Sequence, residues 1–277
     1  MNIPHFERCT PAALLCAALV CFTLFAGCGT MPNGRGWGQD ATLLPGWDRI
    51  GRAALNAAKS PGTWVPAASA LAFHKTGNAD RNVSEWASKN TPIFGSQENA
   101  ARMSDILLDT TGAAFVTSTI AAPSGDDVHD WMIAKIQGGT VEATAGLMTA
   151  GTVGYLKNAT GRMRPNGSNT NSFPSGHSAG AAFFSTMAYQ NFEAMGLSSG
   201  ADAAARISLS TLTAATAWAR VEAKVHYPSD VLAGIAIGHF TGTFFTDAFL
   251  GLDNPRHVVA LVEPSKEGVL MLVRCDF

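Results

Sequence analysis

The chain has 277 residues, 47% of them hydrophobic and only 14% charged, with a formal net charge of −2. That length suits one large domain or two small ones. The near-neutral balance excludes a broad cationic surface for nucleic acid, so any cluster of cations must serve a local purpose, and so little charge among many small residues predicts closely packed helices.

The first 28 residues differ from the rest. Arg8, partly offset by Glu7, is their only fixed side-chain cation, and an apolar run follows from Ala12 to Phe25, ending in Ala26-Gly27-Cys28. A short charged start, an apolar middle and small residues at the end describe an export signal. Cys28 after Ala-Gly resembles a bacterial lipobox. Residues 1–27 therefore read as a lipoprotein signal peptide, and Cys28 as the lipidated first residue of the mature chain. The apolar run falls short of the roughly 20 residues a spanning helix needs. The expected location is the bacterial cell envelope, facing the periplasm. Gly29, rather than Asp, after the cysteine favours the outer membrane. Cys9, Cys16 and Cys21 would leave with the signal and Cys28 would carry lipid. Only Cys275 would remain, which leaves no intramolecular disulfide.

Residues 28–46 are rich in Gly, Pro and Asn without apolar periodicity, and are expected to form a flexible tether. A helical domain is expected over 47–255. Ile50, Ala53, Ala54 and Ala57 recur at helical spacing, and Pro61 and Pro66 are expected to break the region 47–74 into at least two helices. Lys75 to Asn90 reads as a loop or short surface helix, and Asn99–Ser118 as a helix. Asp126 and Asp127 precede a helix through Trp131 to Ile136. The cluster Asp126, Asp127, His129 and Asp130 is better explained by helix capping than by a metal. Helices are then expected over Thr140–Gly161, His177–Met195, Ala201–Val225 and Ser229–Leu250. Val258–Val262 and Val269–Val273 flank a Pro/Gly turn and predict a C-terminal β-hairpin within 256–277. The expected fold class is all-α, a helical bundle with that small hairpin appended.

Three blocks within 74 residues carry chemistry: Lys157 with Arg164-Pro165, then Pro174-Ser175-Gly176-His177, then Arg220 with His226 and Asp230. Each block alone is weak; the three in this order form a specific pattern. Pro228 suits a first helical turn. His226 then lies just before a helix, with Asp230 in its first turn, from where the carboxylate can reach back to Nδ1 and leave Nε2 free to attack phosphorus. Ser175 and Gly176 open another helix, where the hydroxyl and backbone N–H groups suit phosphate oxygens. His177 would protonate the leaving oxygen and later activate water. Lys157 and Arg164, seven residues apart, would share one helix face. With Arg220 they supply the charge that phosphoryl transfer requires, so no metal or other cofactor is expected. Arg162 reads as a bystander at the rim, and His239 as a packed or pocket-lining residue.

The three blocks resemble the signature of the type 2 phosphatidic acid phosphatase superfamily, which includes class A acid phosphatases and vanadium haloperoxidases. One departure is Ala219, where the family usually has Ser before the arginine. The resemblance covers the central and C-terminal helices. It implies the same roles for His226, His177 and Asp230 as catalytic residues, and phosphate binding by Lys157, Arg164, Ser175, Gly176 and Arg220. The expected partners are a phosphorylated substrate, lipid-linked or soluble, and a membrane reached through the lipid on Cys28; no nucleic acid is expected. Vanadate-dependent halide oxidation on the same residues, and a non-enzymatic envelope scaffold, are the alternatives.

Overall fold

The computed structural model describes residues 28–76, 78–252, 258–265 and 268–275. The signal-peptide expectation for 1–27 lies outside these described residues. Among the described residues eight α-helices follow one another: α1 (Trp47–Lys59), α2 (Pro61–Lys75), α3 (Ala79–Asn90), α4 (Gln97–Ala121), α5 (Val128–Thr160), α6 (Gly176–Ala194), α7 (Ser199–Glu222) and α8 (Pro228–Phe245). A π-helical turn, Thr246–Leu250, closes the bundle. Beyond it, β1 (Val258–Ser265) pairs antiparallel with β2 (Gly268–Cys275), in a register that sets Val258 against Cys275 and Ser265 against Gly268.

Local chemistry sets the helix starts. Ser96, Asp127, Ser175 and Ser198 each accept a backbone N–H of the helix that follows, satisfying donors that have no intrahelical partner. Asp127 does so for His129 and Asp130, whose own side chains are exposed. The region 47–74 divides into two helices at Pro61, as expected, but two other expected breaks are absent. Pro61 opens α2, but Pro66 lies inside it; near the start of a helix the missing N–H forfeits a single bond. The expected gap before Thr140 is also bridged, because α5 runs unbroken through Gly138-Gly139. Gly138 is there for packing: a Cβ on it would stand 2.5 Å from the Trp37 ring.

The segment expected to be a flexible tether is instead packed onto the bundle. Gly29 and Gly125 exchange backbone hydrogen bonds of 3.1 and 2.8 Å, and Thr42 N–H reaches the Phe249 carbonyl at 2.8 Å. Trp37 is fully buried, its indole N–H donating to Asn191 Oδ1 at 2.9 Å. Asn191 donates in turn to buried Glu142 at 2.9 Å. Burial pushes the Glu142 carboxyl up to about 7. Composition misled here because one tryptophan, with an N–H partner provided by α6, outweighs a Gly- and Pro-rich context.

The packing of α6 against α8 positions the site. Gly234, Gly238 and Gly242 form a stripe at four-residue spacing on α8. A Cβ on each would come within 2.5 Å of Ser175 O, 2.1 Å of Ala179 O and 3.0 Å of Thr186 Cγ2. Both chains ascend together along this contact, so α6 and α8 run parallel and begin at the same end of the bundle. Ser175 N–H, just before α6, donates to the Asp230 carbonyl in the first turn of α8 at 3.0 Å. Beneath lies an apolar core of Trp37, Val141, Phe183, Met187, Phe245 and Leu250. No described helix is long and apolar enough to cross a membrane.

Gly238→Ala should cost at least about 3 kcal/mol in urea denaturation, because the backbone oxygen of Ala179 cannot yield. Gly154→Ala, where an added Cβ meets nothing within 4 Å, should stabilise by about 0.5–1 kcal/mol through helix propensity.

Candidate active site

At the end of the bundle where α6 and α8 begin, four segments converge: the last turn of α5 with the loop 161–175, the start of α6, the end of α7, and residues 226–230. Lys157 closes α5, and Gly161 ends that helix at a φ of +52°. Arg164 therefore lies in the loop after α5 and does not share a helix face with Lys157, as the seven-residue spacing had suggested. A left-handed glycine, not Pro165, terminates the helix. The loop is pinned by Lys157 Nζ donating to Asn171 O at 2.7 Å and by Ser172 N–H donating to Arg162 O at 3.0 Å.

His226 is 1% exposed. Its Nδ1 stands 2.6 Å from the Ser172 carbonyl, whereas Asp230 Oδ2 is 3.7 Å away. The orienting hydrogen bond thus comes from the loop carbonyl, with Asp230 as a nearby charge. A carbonyl can only accept, so Nδ1 carries the proton and Nε2 keeps its lone pair. Burial, helped by the charges of Arg220 and Lys157, pushes the His226 imidazole down to about 4. It is therefore neutral over most of the pH range.

Asp230 is fully buried and accepts Ser172 Oγ–H at 2.5 Å, Tyr227 N–H at 2.8 Å and Arg162 Nη1 at 2.6 Å. Burial alone would raise its carboxyl. The His226 ring, the Ser172 hydroxyl, the Arg162 charge and the Tyr227 N–H outweigh that and hold it below the ordinary carboxylate range. The Tyr227 contact also caps α8, whose first residue is Pro228.

Arg162 is not a bystander at the rim. Its other amino group donates to Asp80 at 2.7 Å, and its Nη1 also reaches Ser229 Oγ at 2.7 Å. The guanidinium stacks 4.3 Å from the Tyr227 ring centroid. Asp80, on α3 and 5% exposed, also accepts Ser229 N–H at 2.8 Å. Arg162 thus clamps two buried carboxylates behind His226. Asp80 belongs to none of the three sequence blocks, and no signal in the sequence marked it.

The remaining cations are arranged differently. Arg220 is 8% exposed and donates through Nη1 to Ser104 Oγ at 2.9 Å. Its Nε, like that of Arg164, is a buried donor with no partner among the described residues. Burial and the Arg164 charge push Arg220 down to about 10. Burial, Arg164 and Arg220 push Lys157 down to about 8. Two of the three cations keep an N–H without a partner among the described residues, and the Arg164 charge bears on both of the others, an arrangement that could hold an anion.

His177 is half-buried at the second position of α6, with its Nε2 2.7 Å from Asp105 Oδ1. Burial and Arg220 lower its proton affinity, and Asp105 raises it. Arg220 thus acts on both histidines. Ser175 is fully buried, and its hydroxyl accepts from Ser178 Oγ at 3.0 Å. That oxygen is engaged in the cap of α6, and Gly176 is the first residue of the helix. His239 stands apart on α8, its Nδ1 3.1 Å from Thr63 Oγ1 and its ring held against Gly62.

Residues 141–251 match the family model of the PAP2 superfamily, a stretch that holds all three blocks. No curated protein matches the sequence. Among solved structures, the chain is similar to the first transmembrane PAP2-type phosphatidylglycerolphosphate phosphatase from Bacillus subtilis. The two are 21% identical, with 64% of this chain and 88% of that one covered at a TM-score of 0.49.

Arg162→Ala should lower stability by about 3–5 kcal/mol in urea denaturation, because it strands Asp80 and Asp230 as buried charges. Arg162→Lys, which keeps the charge but loses the fork, should fall between that variant and the parent.

Proposed function

We propose that this chain, a member of the PAP2 superfamily through residues 141–251, is a metal-independent phosphatase that cleaves phosphate monoesters or pyrophosphates through a phosphohistidine on His226. Membership of the family supports a phosphatase-type activity. One observation carries the finer reading: Arg164 and Arg220 each hold a buried Nε–H without a partner among the described residues, beside a histidine whose Nε2 lone pair is available. A phosphoryl group would satisfy both donors and relieve the repulsion among Lys157, Arg164 and Arg220.

In the first step His226 Nε2 attacks phosphorus in line. The N–P bond forms as the bond to the leaving oxygen breaks, and protonated His177 gives that oxygen a proton. The three cations and the N-terminus of α6 stabilise the equatorial oxygens, where charge gathers. In the second step neutral His177 takes a proton from water, the oxygen of which attacks phosphorus and releases His226. Asp230 offsets the positive charge that His226 acquires as phosphohistidine.

Cys28 is exposed, and we assign it the lipid that would hold the domain to the bacterial envelope, facing the periplasm. Gly29 after it favours the outer membrane. A membrane-bound site makes lipid phosphates and polyprenyl pyrophosphates natural substrates, and the same chemistry serves a soluble monoester.

Phosphate release from p-nitrophenyl phosphate and from a short-chain lipid phosphate checks the reading. His226→Ala should lose about 10⁴-fold or more of kcat, and EDTA should leave the rate unchanged. Substantial turnover by that variant would rule out the nucleophile. The kcat/KM profile of the free enzyme should be bell-shaped and acidic. Activity should rise as pH passes about 4, where His226 loses its proton, and fall below the ordinary histidine value of about 6.5 as His177 loses its own.

A further inference from the structure

Helix α4 belongs to none of the three sequence blocks, yet it touches two members of the site with adjacent residues. Ser104 Oγ accepts from Arg220 Nη1 at 2.9 Å, and Asp105 Oδ1 lies 2.7 Å from His177 Nε2. A carboxylate accepts, so the neutral ring carries its proton on Nε2 and its lone pair on Nδ1.

We infer that Asp105 is a positioning residue for His177: it holds the ring in the Nε2–H tautomer and sets a carboxylate beside it, against the guanidinium groups of Arg220 and Arg164. The inference rests on the phosphatase reading above and adds a residue to it. Without a carboxylate, a half-buried imidazole beside two guanidinium groups is a poor reservoir for a proton. With Asp105 on Nε2, the imidazolium gives its Nδ1 proton to the leaving oxygen and relaxes to the neutral ring still held by Asp105. The freed Nδ1 lone pair then takes a proton from the water that attacks the phosphohistidine. The proton count closes over one turnover. The groups acting on His177 are Asp105 from α4, Arg220 from α7 and Arg164 from the loop after α5.

This pairing differs from that of His226, whose Nδ1 proton goes to a backbone carbonyl in a dry interior. Asp105 is exposed, its side chain at 64%, so solvent screens its effect and the expected shift is modest.

Two readouts test the inference, and both variants should fold because Asp105 faces solvent. In Asp105→Asn, titration of the His177 ring by NMR should show its pKa lowered by about half a unit, and the alkaline limb of kcat/KM should move down by the same amount. In Asp105→Ala, ring ¹⁵N shifts of neutral His177 should change from the Nε2–H tautomer to a mixture. Asp105→Glu should restore the limb, and Asp109→Asn, an exposed carboxylate one turn along α4, should move neither readout. An unchanged His177 pKa and tautomer in the Asp105 variants would overturn the inference, as would a shifted pKa with an unmoved limb. A parent protein that releases no phosphate would defeat the phosphatase reading instead, and the NMR titration would still decide what Asp105 does to His177.

Discussion

The site depends on how closely α6 approaches α8. A helix pair with ordinary side chains keeps its axes roughly 8–10 Å apart. Here the glycine stripe at 234, 238 and 242 lets backbone atoms of α6 occupy the space that Cβ atoms would fill. The contact is parallel, so two helix N-termini open at one end, and His177 and His226 are carried there by residues that begin those helices. The Ser175 N–H to Asp230 carbonyl bond ties the two starts together. Partial positive charge from aligned peptide dipoles gathers at the same place, which suits an anion before any side chain is counted.

Around that end the arginines are sorted by whether they have acids. Arg162 faces Asp80 and Asp230, with both of its amino groups engaged, and is spent on architecture. Arg164 and Arg220 each keep a buried Nε–H without a partner among the described residues; burial and the Arg164 charge lower Arg220, and burial, Arg164 and Arg220 lower Lys157. A fold does not gather like charges out of water for stability, since desolvation and repulsion both oppose it. The arrangement is suited to an anion that would offset those charges.

The residues proposed for catalysis were legible in the sequence as candidates because they lie in short blocks with fixed spacing, and Pro228 correctly announced the start of α8. The supporting partners were not legible. Asp80, Ser104 and Asp105 come from α3 and α4, more than 70 residues before the side chains they touch, and each stands in an ordinary amphipathic context. Spacing also misplaced Arg164, because the helical period was extended past Gly161, where the chain turns. The reading of 28–46 failed for a related reason: composition registers Gly, Pro and Asn, whereas the burial of Trp37 depends on an asparagine on α6.

In the proposed mechanism the two imidazoles take opposite tasks within one cradle. His226 is sealed in and given its Nδ1 partner by the Ser172 carbonyl, a group that cannot itself take up a proton. Burial strips the ring of charge and leaves a lone pair at Nε2. His177 sits nearer water and meets a carboxylate, which favours the protonated ring even as Arg220 opposes it. Both rings feel the same guanidinium, so its charge alone cannot set them apart. What separates them is burial and the choice of acceptor, carbonyl for His226 and carboxylate for His177. The proposed nucleophile, which must lose its proton, and the proposed acid, which must keep one, can therefore operate side by side.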